Sequence, residues 1–354
     1  MNARINGIQQ VGIGISDMAT AWAWYRSHFG MDIPVFQEAA DAPLMQAFTG
    51  GVVQSRNATL AINLQGGGGM EIWQFTSRTP TAPAQPIRLG DYGLFAARVK
   101  SRDIAASHRQ YAAAGLAGLT PVLNDPAGRP HFFVSDPFGN RFDIVGSDSW
   151  FSHANRHLTG GVAGCIIGVS DIDKARTLYS GVLGYSRVVY EAEGVFEDFA
   201  GARPEGNTRV RRILLAQENQ GRGGFSPLFG ATHIELVKVL DRFPVPAFKD
   251  RFWGDLGFIH LCFDVHGMSA LEECCKNAGF PFVVDSMNSF DMGEASGHFS
   301  YIQDPDGTLI EFVETHRVPI MKKWNWYLDL RKRPVDKPLP RLLIRALGLN
   351  RVSD

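Results

Sequence analysis

The stretch Gln10-Val-Gly-Ile-Gly-Ile-Ser-Asp17 returns as Gly164-Cys-Ile-Ile-Gly-Val-Ser-Asp171. Each is an apolar, β-rich run that ends in Ser-Asp, the residue types that cap a helix N-terminus. Helical segments follow, Met18 to Phe29 and Ile172 to Val182. Both close on glycine, in His28-Phe-Gly-Met31 and Val182-Leu-Gly-Tyr185, as helices often do. The two copies finish on similar short strands, Met70-Glu-Ile-Trp-Gln-Phe75 and Ile234-Glu-Leu-Val-Lys-Val239.

A second pair of repeats lies between and after the first. Gly93-Leu-Phe-Ala-Ala-Arg-Val99 matches Ile259-His-Leu-Cys-Phe-Asp-Val265. Helical segments then run to Ala114-Gly115 and Ala278-Gly279. Next come Asp136-Pro-Phe-Gly-Asn-Arg-Phe-Asp-Ile-Val145 and Asp304-Pro-Asp-Gly-Thr-Leu-Ile-Glu-Phe-Val313. In Asp-Pro-x-Gly the proline presets one φ and the glycine takes a positive one, so a turn feeds the last strand. Self-similarity of this kind decides the architecture before any single motif does. The chain reads as four β-α-β-β-β modules, at 5–77, 90–147, 160–240 and 256–315. Taken in order they make one domain at 5–147 and a second at 160–315. Proline-rich 78–89 and 148–159 are links, and 316–354 is a basic C-terminal tail.

The totals fit that plan. The 354 residues are 45% hydrophobic and 20% charged, enough to bury a sizeable core without staples. A net charge of −1 gives no global field for nucleic acid or an acidic membrane. The N-terminus has no apolar signal core and no apolar run could span a bilayer. A cytoplasmic protein is expected, with neither nucleic acid nor membrane as partner. Cys165, Cys262, Cys274 and Cys275 form no C-x-x-C pair and read as buried free thiols.

The strand into Ser-Asp, the Tyr-x-x-x-x-Gly helix ends and the Asp-Pro-x-Gly-x-x-Ile-Glu finish resemble the vicinal oxygen chelate superfamily. That group contains glyoxalases, bleomycin-resistance proteins and extradiol dioxygenases. The resemblance spans residues 5–315. It implies an α+β fold whose four modules pair into two cupped mixed sheets. It also implies metal ligands on the first and last strand of each module. Those positions map to Gln10 and Glu71, Leu94 and Asp143, Gly164 and Glu235, and His260 and Glu311. Only modules one and four together supply four donors: Gln10, Glu71, His260 and Glu311. This set resembles that of some glyoxalase I enzymes, and similar four-module glyoxalases pair distant modules. Two carboxylates, an imidazole and an amide oxygen suit one divalent ion, Zn, Ni, Co, Mn or Fe(II).

Three functions follow from the resemblance. The first is a metal-dependent isomerase or lyase of the glyoxalase or epimerase type. It would chelate vicinal oxygens of a small substrate and abstract a proton next to a carbonyl, with Glu311 as base and Glu71 on the opposite face. The second is an Fe(II) extradiol-type dioxygenase, which needs two histidines and a carboxylate. The third is a non-catalytic small-molecule binding or resistance protein. His298, Asp291 and Glu294, in a polar loop of module four, and Trp253 are candidate substrate contacts. Gln9 competes with Gln10 for the inward position, because a one-residue slip exchanges faces. The run Gln65-Gly-Gly-Gly-Gly-Met70 reads as a flexible hairpin at the cup's mouth. Of Arg211 and Arg212 at most one faces inward. The aromatic residues of the tail are expected to pack across the modules. Four fused modules supply their own pairing, so a monomer is expected, with a homodimer as the alternative.

Overall fold

The computed structural model describes residues 3–153, 157–202, 208–218, 221–287, 290–291, 296–321, 326–331, 333–334 and 337–352. Module one is β1 (Arg4–Gly14), α1 (Met18–Phe29), β2 (Ile33–Asp41), β3 (Ser55–Ile62) and β4 (Gly69–Phe75). Module two is β5 (Gly93–Ser101), α2 (Ile104–Ala113), β6 (Leu123–Asn124), β7 (Pro130–Ser135) and β8 (Arg141–Gly146). Module three is β9 (Thr159–Gly168), α3 (Ile172–Tyr179), β10 (Arg187–Gly194), β11 (Val210–Ala216), the short α4 (Ser226–Phe229) and β12 (His233–Val239). Module four is β13 (Gly257–His266), α5 (Met268–Asn277), β14 (Val284–Asp285), β15 (Phe290–Asp291), β16 (Ser296–Gln303) and β17 (Leu309–Met321). The tail adds β18 (Trp326–Asp329) and α6 (Arg341–Ala346).

The helices start where the sequence says they should. Asp17, Asp103 and Asp171 each accept a bond from the backbone N–H three residues on, filling donors that a helix start leaves open. The start of α5 has no capping side chain of its own. The Glu314 carboxylate of β17 reaches across to the N–H groups of Gly267 and Met268, at 2.9 and 3.2 Å. Helix α3 ends at Tyr179, three residues before the expected Val182, and the chain turns to Gly184.

Two curled mixed sheets result. One has the order β14-β16-β17-β13-β1-β4-β3-β2, with β15 on β16 and β18 on β17. The other runs β10-β11-β12-β9-β5-β8-β7-β6. Modules four and one therefore share the first sheet, and three and two the second, each pair joined by an antiparallel seam, β1–β13 or β5–β9. The largest apolar cluster takes residues from all four modules and from α1, α2, α3 and α5, so the two sheets share one core. Tyr25 of α1 donates to Asp136 of module two at 2.5 Å, and Tyr179 of α3 donates to Asp304 of module four at 2.9 Å.

The glycine run is not a loose hairpin at a cup mouth. Gly68 N–H donates to Val162 O and Gly161 N–H to Gly66 O, each at 2.7 Å. A Cβ on Gly67 would lie 2.5 Å from the Gly161 carbonyl carbon. The glycines are there because two backbones meet without room for side chains. The cysteines are free; Cys165, Cys262 and Cys275 are buried, whereas Cys274 is exposed. No described helix is long and apolar enough to cross a membrane.

The cup of the second sheet is filled by charge. Arg98 lies 3.0 Å from Asp143 and pairs with Glu235, and Arg212 binds Glu235 at 2.5 Å and Asp198 at 2.6 Å. His131 bridges Asp143 at 2.7 Å and Asp198 at 3.3 Å, and Tyr190 donates to Glu235 at 2.8 Å. Arg212 faces inward, while Arg211 is turned out to Glu191 and Asp173. Three acids face two arginines and a histidine, so the network is neutral only with His131 protonated. Burial pulls the His131 pKa down, but Asp143 and Asp198 outweigh it and lift it to about 9. A pKa raised on folding stabilises below the unfolded value of ~6.5 and loses that contribution as pH climbs through the folded value. His131→Gln is expected to cost about 1–3 kcal/mol at pH 6 and much less by pH 10. Urea melts across that range check it; a difference independent of pH would contradict the ledger.

Candidate metal centre

The first cup is built around β-bulges. Along the β1–β13 ladder Gln10 stands opposite Cys262 and Gly12 opposite His260. The register slips once on each strand just before these residues, leaving Gln9 and Ile259 without partners. Such an extra residue re-aims the neighbouring side chains. It explains why both Gln9 and Gln10 reach the cup, which simple alternation forbids. Glu71 of β4 lies beside Gly12, and Glu311 of β17 beside Cys262. The four donors thus converge from the first and last modules.

The cluster is tight. Gln10 Nε2 donates to Glu71 Oε2 at 3.1 Å and Glu311 Oε2 at 3.4 Å. His260 Nε2 lies 3.1 Å from Glu71 Oε2 and 3.2 Å from Glu311 Oε2. Donor atoms of Glu71, His260 and Glu311 all lie within 4.8 Å of one another. His260 is fully buried and the other three nearly so. Burial pushes the Glu311 pKa up to about 7, with the Glu71 charge adding to it against the pull of His260. Burial also works against charging His260, yet Glu311 and Glu71 raise its pKa above the ordinary value.

Two buried atoms of the cluster satisfy no hydrogen bond, His260 Nε2 and Gln10 Oε1. Two buried carboxylates outweigh even a protonated imidazole in charge, and a cation in that space would offset the excess. A half-turn of the Gln10 amide would bring its oxygen inward. Two carboxylates, an imidazole and an amide oxygen then form a donor set for one divalent ion, so the residues present fit the metal that the resemblance implies.

Three neighbours surround the histidine, of which the sequence singles out Trp253 alone. Tyr301 stands opposite Glu311 in the β16–β17 ladder, and its hydroxyl is 3.4 Å from His260 Nδ1. Trp253 stacks beside His260 with ring centroids 6.3 Å apart and planes 18° apart. Gly12 faces the ring so closely that a Cβ would lie 2.5 Å from His260 Cε1. Register on a partner strand marks Tyr301; nothing in the sequence marks Gly12 except its place two residues after a ligand.

Of the expected substrate contacts, Trp253 stacks beside the cluster's histidine and also lines a separate cavity with Phe48 and Phe248. His298 is not brought to the cluster. By strand alternation it lies on the opposite face of β16 from Tyr301, where it pairs with Asp285. Asp291 is placed by its backbone, paired with Ser296, and Glu294 lies outside the described residues. In module two the residue equivalent to His260 is Ala96, not Leu94. A bulge at Phe95 shifts the register, so that Ala96 faces Ile166 and Arg98 faces Gly164. A bulge at Ala163 does the same for Gly164. Arg98 therefore occupies the place held by Cys262 in the first cup, and Ile166 the place of Gly12.

The family model for the glyoxalase/bleomycin resistance protein/dioxygenase superfamily matches residues 7–144 and 157–312. The chain belongs to this superfamily. Among solved structures, a glyoxalase I mutant from Zea mays superposes with a TM-score of 0.53 at 12% identity, over 88% of this chain and 94% of that one. A candidate dioxygenase from Bacillus subtilis gives 0.55 at 14%, over 88% and 86%. At such identities the likeness is one of fold. No curated protein matches the sequence.

Because Trp253 and Tyr301 wall the His260 ring, it cannot retreat from a side chain at position 12. Gly12→Ala is expected to lose metal uptake and about 1–3 kcal/mol of stability. Metal content and a urea melt of the purified variant check this; wild-type values for both would show the contact to be slack.

Proposed function

We propose that Gln10, Glu71, His260 and Glu311 hold one divalent ion and that the chain is a metal-dependent isomerase or lyase of the glyoxalase or epimerase type. The observation that carries the reading is the His260 Nε2 atom set 3.1 and 3.2 Å from two buried carboxylates, with a fourth donor beside them. A bound ion, Zn, Ni, Co, Mn or Fe(II), would act as a Lewis acid toward adjacent oxygens of a small substrate.

The chain's own residues supply the rest. Glu311 is the base: in the metal-free cluster burial raises its pKa to about 7, the direction that strengthens a carboxylate for proton abstraction next to a carbonyl. It takes the proton on a carboxylate oxygen and can return it to a neighbouring carbon. Glu71 faces it across the cluster. Tyr301 and Trp253 hold the His260 ring in one orientation, as partners behind metal ligands commonly do. The buried cup excludes water from the exchange. The dioxygenase alternative draws less support. Its two-histidine, one-carboxylate set is not met by a cluster with one histidine among the described residues. Four convergent donors are more than a metal-independent binding protein needs. A monomer and a small-molecule substrate complete the reading.

Metal analysis is the deciding measurement. Wild type should hold about one ion per chain. His260→Ala and Glu71→Ala should weaken uptake about 10–100-fold or more, whereas Glu235→Ala in the second cup should retain it. Full metal in Glu71→Ala with loss in Glu235→Ala would place the site in the wrong cup. For the reaction, hydroxyacetone in deuterated water should take up deuterium next to its carbonyl with wild type and not with Glu311→Gln. Oxygen uptake with catechol, in place of that exchange, would favour the dioxygenase.

A further inference from the structure

Beside the four donors the first cup keeps a cavity of about 100 Å³, below the roughly 300–1,000 Å³ usual for drug-sized ligands. Its walls come from distant parts of the chain. Val35, Phe36 and Leu60 belong to module one, Leu228 and Phe229 to α4 of module three, and Leu347 to the end of the tail. The tail is fixed there by Arg351, which binds Asp32 at 2.5 Å, and by Val352 N–H on Asp32 O at 2.9 Å. Beyond the ligands the polar side chains on the wall are Gln9 and Thr315, and among the described residues no lysine, arginine or histidine lines it. Gln9 Nε2 lies 3.4 Å from both Thr315 Oγ1 and Asp264 Oδ1, a neutral, loosely bonded edge.

The charge balance follows. Glu71 and Glu311 neutralise one divalent ion, so the centre has no charge to spare. An anionic group on the ligand would be buried against leucine, phenylalanine and valine without a cation, which is strongly unfavourable. The wall offers apolar contact and, at Gln9 and Thr315, neutral hydrogen bonding. We infer that this cavity takes a compact, uncharged ligand, with two adjacent oxygens toward the donors and an apolar body toward the α4 and tail side. Anionic conjugates, including those carrying peptide carboxylates, are refused. The inference rests on the proposed metal centre for the orientation of the two oxygens, and on the cavity wall for the body.

Two probes separate the two. Catechol and 3,4-dihydroxybenzoate present the same adjacent oxygens, and the second adds one carboxylate. Each is titrated against the full chain loaded with Co(II), following the melting temperature, and Co(II) uptake itself is read by absorbance. Catechol is expected to bind at least about tenfold more tightly than the acid. Leu60→Arg should narrow or invert that preference; Val318→Lys, at the same wall, serves if the first variant does not fold. Equal or tighter binding of the acid by wild type overturns the inference. If Co(II) is held in that case, the metal centre stands and only the ligand class falls. Failure to hold Co(II), with no preference between the probes in the metal-free chain, sinks both.

Discussion

Two carboxylates placed by register inside each curled sheet set the terms for the rest of this molecule. Glu71 and Glu311 in the first cup, and Asp143 and Glu235 in the second, occupy matching places beside the central seams. Neither pair can be buried without positive charge nearby, since an isolated buried carboxylate is strongly unfavourable. The two cups meet that demand differently. In the second, Arg98 and Arg212 supply fixed guanidinium groups, and His131 completes neutrality. In the first, the equivalent of Arg98 is Cys262, a small side chain that carries no positive charge. The first cup thus keeps space that the second has filled, and within its cluster His260 Nε2 and Gln10 Oε1 form no hydrogen bond.

This division also explains why the ends of the chain meet. A donor set of Gln10, Glu71, His260 and Glu311 exists only if β1 pairs with β13, more than two hundred residues away. The cross-pairing leaves modules two and three to pair with each other. Their seam then carries Gly164 and Ala96 where the first carries Gln10 and His260, with Arg98 in the place of Cys262. One sheet can specialise in chemistry and the other in holding it, because they share one core and the tyrosine–aspartate bonds between successive modules.

Much of this was legible in the residues. The repeats gave the modules, the Ser-Asp and Asp-Pro-x-Gly signals gave the helix starts and turns, and donor inventory favoured pairing the ends. What alternation could not give was the bulges. A period of two assigns Gln9 and Gln10 to opposite faces, and only an extra unpaired residue brings both inward. The module-two position is Ala96 and not Leu94 because the bulges at Phe95 and Ile259 are equivalent, so that matching Gly93 to Ile259 sets the two strands two residues out of step. His298 failed for the opposite reason: in a regular strand, its even spacing from Ser300 and odd spacing from Tyr301 put it on the outer face. The glycine run was misjudged because flexibility and close approach favour the same residue. Only the facing Gly160-Gly161 pair, ninety residues on, distinguishes them.

The walls of the first cup were the least readable part, and the reason is physical. The short helix α4 and the end of the tail carry no long apolar periodicity; each contributes a few side chains to a surface formed by other modules. Their placement is decided by what they cover. Phe225, Leu228 and Phe229 of module three pack with Leu339, Ile344 and Leu347 of the tail and with Ile33 and Ile62 of module one. That cluster closes one side of the donor cup, while Trp73, Trp253 and Tyr301 close the other. A carboxylate with a pKa near 7 needs such closure, since water in the cup would restore an ordinary value. The segments that look like additions to the repeat therefore serve the same end as the ligands. They keep water from a charged cluster that the sheets alone would leave open.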